Sequence, residues 1–387
     1  MMNKISKGWE KYYLSDCFNT ISIKNKIKTK DYLPQGKFPI IDQGQDFISG
    51  YSNDENLLIK VKKPIIIFGD HTRCFKFINF DFIAGADGIK ILEPKDNFNE
   101  KLFYYFCQIL DFPNKGYSRH FQYLKKAIIN FPKNLSEQKA IADKLDDSFA
   151  KIENAITNLI NAKENLKLYK QSVLKSAFNG DLLPNTSPAH WEVKKLGEIC
   201  EITMGQSPKG ENVFENSQSL NGLEFHQGKI CFTDKFISKS KFITSDIRKI
   251  AEVGSILLCV RAPVGIINLT ERKIAIGRGL CALKANNQNN NFLYYYLLGL
   301  KQYFESKATG YTFSAITLNI VKNCEIPLPP LSEQNLIVAE IDRRFAIVDK
   351  TLNLIDKSIQ NAKNLKQSIL KKAFSGELRS EIRAKVH

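Results

Sequence analysis

The chain has 387 residues, of which 43% are hydrophobic and 25% charged, proportions of a globular protein with room for two or three domains. Its formal net charge of +16 favours a polyanionic partner, no apolar run is long enough to span a membrane, and the Lys-bearing start lacks the apolar stretch of a signal peptide, which reads as a cytoplasmic protein. Eight cysteines stand singly between Cys17 and Cys324 with no Cys-x-x-Cys pair, a pattern that points away from a disulfide framework or a zinc site.

Residues 1–134 form the first predicted domain, with about +7 of the formal charge. Trp9-Glu10 opens it. Lys62-Lys63-Pro64-Ile65-Ile66-Ile67-Phe68-Gly69-Asp70 predicts an apolar strand ended by a Gly-Asp turn, and Phe75-Lys76-Phe77-Ile78 a second strand. Leu102-Phe103-Tyr104-Tyr105-Phe106 predicts an aromatic helix, and Phe131-Pro132-Lys133-Asn134 leads out of the domain.

Residues 135–182 predict one long amphipathic helix. Ile141, Leu145, Phe149, Ile152, Ile156, Leu159, Leu166, Tyr169, Val173 and Ala177 recur mostly at alternating spacings of three and four, which sets them along one stripe. The stripe is narrow and the other faces carry Lys, Glu, Asp and Asn, the pattern of a coiled-coil seam. Ser136-Glu137-Gln138 places a hydroxyl where it can cap the first turn and a carboxylate where the helix N-terminus favours one, and Gly180 falls where a left-handed C-cap is wanted.

Residues 183–330 repeat the plan of the first domain in a different sequence, with about +5 of the charge. Trp191-Glu192 opens it; Gly254-Ser255-Ile256-Leu257-Leu258-Cys259-Val260-Arg261, Gly265-Ile266-Ile267 and Lys273-Ile274-Ala275-Ile276-Gly277-Arg278-Gly279 predict strands and turns; Phe292-Leu293-Tyr294-Tyr295-Tyr296-Leu297 predicts the aromatic helix; Pro327-Leu328-Pro329-Pro330 closes it.

Residues 331–387 then bring the long helix back. Leu331-Ser332-Glu333-Gln334 repeats Leu135-Ser136-Glu137-Gln138, Phe374-Ser375-Gly376-Glu377-Leu378 repeats Phe178-Asn179-Gly180-Asp181-Leu182, and about 19 of 48 aligned positions are identical without an insertion. That is a duplication. Ile337, Ile341, Phe345, Val348, Leu352, Ile355, Ala362, Leu365, Ile369 and Ala373 fall at the phases of the first stripe, so the natural partner of each helix is the other. The residues expected to form this subunit and coiled-coil seam are Phe149, Ile152, Ile156, Leu159, Leu166 and Val173 with Phe345, Val348, Leu352, Ile355, Leu365 and Ile369. The expected fold is α+β: two α/β domains alternating with two long helices.

The sequence offers little for catalysis. It contains no Asn-Pro-Pro or Asp-Pro-Pro of the kind an adenine methyltransferase uses to hold a flipped base, no Walker loop, and no His-x-x-x-His or carboxylate cluster of a nuclease metal site. It does offer groups suited to base edges, where Arg matches guanine and Gln or Asn matches adenine. In the first domain these are Gln45, the turn Asp70, His71, Thr72 and Arg73, and the loop residues Lys115, Tyr117, Arg119 and His120. In the second they are Gln206, Ser207, Arg261, Arg278, Tyr311 and Thr312. Each of them equally suits a solvated turn or a phosphate contact, and Arg73 could instead pair with Asp70.

With these motifs the chain resembles, over nearly its whole length, the specificity (S) subunit of type I DNA restriction-modification systems, the HsdS family. Pro-Leu-Pro-Pro-Leu-Ser-Glu-Gln at residues 327–334 and Lys-Gln-Ser-Ile-Leu-Lys-Lys-Ala-Phe-Ser-Gly-Glu-Leu at 366–378 are similar to the family's helical-region signatures, and residues 254–261 and 275–279 to its recognition-domain core. The resemblance implies two target-recognition domains, each reading half of an asymmetric bipartite DNA site. It also implies antiparallel helices related by a pseudo-two-fold repeat, which space the domains and dock two modification (methyltransferase) subunits, with restriction subunits as further partners. No cofactor, metal or activity of the chain's own is implied. A coiled-coil scaffold, or a nucleic-acid-binding protein without a methyltransferase partner, are the other readings open at this point.

Overall fold

The run Ile65-Ile66-Ile67-Phe68 lacks polar alternation because its strand is covered on both faces. In the computed structural model, which describes residues 8–85, 88–112, 118–184, 188–215, 222–310 and 314–378, the strand Ile65–Gly69 is buried throughout and lies between Ile89–Pro94 and Phe75–Ile78, with Phe18–Ile21 beyond Ile89–Pro94. Ile66 and Phe68 face one core, with Leu102, Phe103, Leu124 and Phe131; Ile65 and Ile67 face a second, with Ile41, Phe82 and Ile91. A second sheet runs Gly50–Ser52, Phe38–Ile41, Phe82–Ala84, Leu58–Ile59, and Phe38–Ile41 pairs in parallel with Phe82–Ala84.

The second domain solves the same problem with other residues. Its strand Ile256–Cys259 is also buried throughout, with Ile256 and Leu258 turned to one core and Leu257 and Cys259 to the other. Its sheets run Cys200–Met204, Leu280–Ala285, Ile256–Cys259, Ile267–Leu269 and Val213–Glu215, Phe242–Thr244, Leu223–His226, Ile274–Ile276, Ile250–Ala251, and again one pair, Leu223–His226 with Ile274–Ile276, is parallel. The strands and aromatic helices expected from the sequence form in both domains, the helices spanning Glu100–Cys107 and Asn290–Gly299.

The repeated segments are single α-helices, Leu135–Phe178 and Leu331–Ser375. The chain divides into two units, residues 1–160 with 356–387 and residues 161–355, so each unit takes one domain, the near half of the helix that follows it and the far half of the other helix. In the first unit Ile141, Leu145, Phe149 and Ile152 share the domain's core with Leu370 and Ala373; in the second, Ile337, Val338 and Ile341 share it with Val173, Leu174 and Ala177. The helix halves are therefore antiparallel within each unit. Val348 and Ile355 are buried, while Ile156, Leu159, Leu166, Leu352 and Ile369 are half-buried.

Two seam positions differ from the expectation. Tyr169 is 42% and Leu365 51% exposed. They are the same position of the repeat, and the reason is the lysine that follows. Lys170 Nζ lies 4.7 Å from the Phe345 ring centroid and 2.5 Å from Asp349; Lys366 Nζ lies 4.8 Å from the Phe149 ring and 2.7 Å from Glu153. Each ammonium sits over the aromatic ring of the facing helix half, at the place on the seam next to the one the tyrosine or leucine was expected to fill. Surface ion pairs contribute at most about 1 kcal/mol each, so burial of the apolar stripe holds the halves together and these pairs set their register.

Domain and helix meet through a joint built twice. Trp9 Nε1 donates to Glu137 Oε1 at 3.1 Å and Trp191 Nε1 to Glu333 Oε1 at 3.0 Å. Gln138, 1% exposed, donates through Nε2 to the carbonyls of Asn97 and Pro132 and accepts the Asn99 N–H at 2.6 Å. Gln334, fully buried, donates to Gln288 Oε1 and the Pro329 carbonyl and accepts the Asn289 N–H at 3.1 Å. The hydroxyls of Tyr105 and Tyr295 donate to Asp146 and Asp342. Ser136 is not the cap: Asn134 Oδ1 accepts the N–H groups of Ser136 and Glu137 at 2.8 and 3.1 Å, which frees Glu137 for the indole. Gly180 and Gly376 do close the helices, at φ +79° and +83°. The domain's first and last strands pair beside this joint, Trp9–Tyr13 with Ile128–Pro132 and Glu192–Lys195 with Glu325–Leu328.

The second domain also holds a partly buried charge cluster around the buried His226. Arg272 Nε and Nη2 donate to the two oxygens of Glu224 at 2.6 Å, the Ser240 N–H donates to Glu224 Oε1 at 2.6 Å, and His226 Nε2 lies 2.8 Å from that oxygen. Burial works to raise the Glu224 carboxyl, but Arg272, the Ser240 N–H and His226 together hold it at about 2, below its ordinary 4.5. His226 is pushed below its ordinary 6.5, because burial outweighs the neighbouring carboxylate.

Two outcomes follow from the joint and the cluster. Gln334→Leu leaves the Asn289 N–H and two acceptors without their partner in the core, and should cost about 3 kcal/mol. Denaturant unfolding followed by Trp191 fluorescence in a Trp9→Phe background measures this; a loss below about 0.5 kcal/mol would remove the joint's importance. Both Glu224 and His226 have depressed folded values, so their stabilisation is complete at neutral pH. It is lost as pH falls below 6.5 for the histidine, and from 4.5 towards 2 for the carboxylate. Glu224→Gln should lower the melting temperature at pH 7 and flatten its fall in acid; parallel melting curves for wild type and variant would contradict the assignment.

Candidate nucleic-acid interface

In the first domain four loops are tied together at one end of the sheets. Asp70, 4% exposed, donates its N–H to the Gly88 carbonyl at 2.6 Å. Its own carbonyl accepts the His120 N–H at 2.9 Å, and its Oδ1 accepts the Phe121 N–H at 2.7 Å. Thr72 Oγ1 donates to the Gln43 carbonyl at 2.5 Å and the His71 N–H to Gln43 Oε1 at 3.3 Å. The loop carrying Gln43 is pinned from below by Lys76, 3% exposed, whose ammonium donates to the carbonyls of Asp42 and Asp46 at 2.9 and 2.5 Å. Arg73 completes the hairpin turn in the left-handed region, φ +62°, with its N–H on the Gly69 carbonyl at 2.8 Å.

The second domain ties the corresponding loops with corresponding backbone bonds. Val260 N–H donates to the Gly279 carbonyl and the Val260 carbonyl accepts the Ile316 N–H, both at 3.0 Å, as Asp70 does with Gly88 and His120. Gly277 N–H donates to the His226 carbonyl at 2.8 Å, Gln206 N–H to Ile276 at 3.1 Å, and Ala262 N–H to Ser314 at 3.0 Å. Arg278 N–H reaches Ser207 Oγ at 3.5 Å, and Ser207 Oγ contacts the Gln227 amide.

The sequence-selected residues of each domain thus stand on loops joined to one another. Gln45, Arg119, Gln206, Arg261 and Arg278 are exposed, and His71, Thr72, Arg73 and Ser207 are half-buried. Asp70 and His120 are buried, with Asp70 Oδ1 accepting the Phe121 N–H and His120 Nδ1 lying 3.0 Å from the Asp70 carbonyl, so they shape the loops from within. Lys115, Tyr117, Tyr311 and Thr312 lie outside the described residues. Sequence reasoning missed Gln43, Gln227 and Lys76. The signal for the two glutamines is a Gln-Gly pair at the end of a short strand in each domain, Phe38–Ile41 and Leu223–His226, neither of which the sequence reading picked out; the lysine's burial left no mark in the sequence.

Chemically the exposed loop groups are fork donors and amides with a net positive surround, suited to base edges and phosphates. The buried thiols are unactivated: burial pushes Cys17, Cys200, Cys259 and Cys281 up to about 12. Among the described residues no cluster of His, Cys, Asp and Glu is arranged to hold a metal ion, and no helix is long and apolar enough to cross a membrane.

A family model described as the type I restriction modification DNA specificity domain matches residues 6–162 and again 188–362. The putative type I restriction enzyme MjaX specificity subunit of Methanocaldococcus jannaschii is 31% identical over 258 residues, which are 63% of this chain and 58% of that protein. The type I restriction enzyme EcoR124I/EcoR124II specificity subunit of Escherichia coli is 25% identical over 359 residues, 87% of this chain and 86% of that protein. Among solved structures, a chain from work on complex assembly and conformational transition of the type I R-M system aligns with a TM-score of 0.76 at 25% identity, covering 97% of this chain and all of that one. The HsdS subunit from Thermoanaerobacter tengcongensis aligns with a TM-score of 0.58 at 25% identity, covering 97% and 98%. The same frame of loops built twice, on two domains each matched by that model, places this chain in the type I restriction-modification DNA specificity family.

Proposed function

We propose that this chain is the DNA-recognition subunit of a type I restriction-modification complex. Each domain reads one half of a bipartite site, and the long helices space the domains and dock two modification subunits, which supply methyl transfer; restriction subunits join the assembly for cleavage. The observation that carries this reading is the pairing of a common frame with different readers. Matching backbone bonds hold matching loops in both domains, yet those loops present His71 and Arg73 in one and Arg261 and Arg278 in the other. Two similar frames with unlike side chains suit two unlike half-sites. The relatives' description as specificity subunits supports the same division, with recognition on this chain and chemistry on its partners.

Docking of two like partners is supported by the surface of the repeat. Lys167, Gln171 and Lys175, spaced four apart on one helix face, are exposed and recur as exposed Lys363, Gln367 and Lys371. Folding alone does not require identical residues at solvated positions, whereas a partner present in two copies needs the same surface twice. Native mass spectrometry of the co-expressed complex tests this. Lys167→Glu with Lys175→Glu should lose one modification subunit, Lys363→Glu with Lys371→Glu the other, and all four together both. Retention of both subunits by the fourfold variant would overturn the assignment.

A further inference from the structure

In each domain a Gln-Gly pair stands at the end of the strand that pairs in parallel: Gln43-Gly44 one residue past Phe38–Ile41 and Gln227-Gly228 directly after Leu223–His226. In both, the glutamine amide lies across the loop that leaves the parallel partner strand. A Cβ added at Gly88 would stand 2.6 Å from Gln43 Oε1, and one at Gly277 would stand 2.3 Å from Gln227 Oε1, so glycine is what leaves the amide its place. Each amide is also held by a hydrogen bond, at its oxygen in Gln43 and at both ends in Gln227. Gln43 Oε1 accepts the His71 N–H at 3.3 Å. Ser207 Oγ lies 3.0 Å from Gln227 Oε1 and 2.9 Å from Nε2, so one hydroxyl donates to the oxygen and accepts from the nitrogen.

Gln227 is nevertheless exposed. A long polar side chain in solvent ordinarily loses rotamer freedom when it binds; this one is already ordered. Its fork is set for a partner that donates to the oxygen and accepts from the nitrogen. In the major groove that pair is presented side by side by adenine, through N6–H and N7. A single hydroxyl meets both amide atoms with one oxygen, and an adenine edge would meet them with two. Arg278, whose N–H also reaches Ser207 Oγ, stands exposed beside it, a second fork suited to a neighbouring guanine.

We propose that Gln227 and Gln43 are specificity-determining residues that each read an A·T pair, one in each half-site, with Ser207 holding the Gln227 fork until a base edge replaces its hydroxyl. Half-sites that differ elsewhere would then share an A·T pair at corresponding positions. The inference rests on the reading of the chain as a DNA-recognition subunit. The test uses the purified complex with its modification subunits. The wild-type site is found by methylome sequencing, and binding is then measured to oligonucleotides carrying each single base-pair change. Gln227→Ala should lose discrimination by roughly 5- to 150-fold at one A·T pair of one half-site and at no other position, and Gln43→Ala should do the same in the other half-site. Each variant's melting temperature checks that it folds. Uniform weakening with every preference retained, or relaxation at a G·C pair, would overturn the inference while leaving the function standing. A wild-type complex without a bipartite site would overturn both.

Discussion

The buried amide of Gln138, and of Gln334 in the second copy, fixes where each domain sits on its helix. The Gln138 amide takes up backbone groups of Asn97, Asn99 and Pro132, and the Gln334 amide takes up the Asn289 N–H, the Gln288 side-chain oxygen and the Pro329 carbonyl, so each ties the loop before the aromatic helix to the end of the domain. A hydrogen bond between exposed groups adds little, but a buried polar group deprived of its partner costs about 1 to 3 kcal/mol, so the geometry of the joint is strongly enforced. The Trp-to-Glu and Tyr-to-Asp bonds repeat around it in both copies. A domain attached in this way has a fixed relation to the helix turn that follows it, whatever its loops contain.

That constraint explains how one chain carries two different recognition surfaces. The cores differ residue by residue, Ile66 and Phe68 in one and Ile256 and Leu258 in the other, but both fill the space between a buried central strand and the long helices. Loop variation is then free of the joint. The backbone bonds from Asp70 and Val260 show the same frame supporting an acidic residue in one domain and an apolar one in the other, which is the separation of scaffold from reader that half-site recognition needs.

Much of this was legible in the sequence. The matched stripes and Ser-Glu-Gln repeats point to the two helices, and the apolar runs 62–70, ending in Gly-Asp, and 254–261 point to the central strands. Tyr169 and Leu365 depart from the stripe because periodicity counts apolar side chains only, and a lysine ammonium over an aromatic ring is invisible to it. The offset of the Ser136 hydroxyl favours it as the cap, but Asn134 caps the helix instead because its carboxamide oxygen reaches two N–H groups. At the candidate interface residue type picks out Arg73, Arg261 and Arg278, whose contact with DNA is a proposal, whereas burial turns Asp70 and His120 inward, and burial depends on contacts 50 residues apart in the chain.

The central claim is that each domain is an independent reader on a common joint. It is tested most directly by replacing residues 1–134 with a second copy of residues 183–330, so that both joints carry the same domain, and sequencing the methylome of cells that express this chain with its modification partner. The account predicts a bipartite site whose two halves are the same sequence, the half-site that the second domain reads in the wild type. A folded, active chain that kept the original unlike half-sites would contradict it.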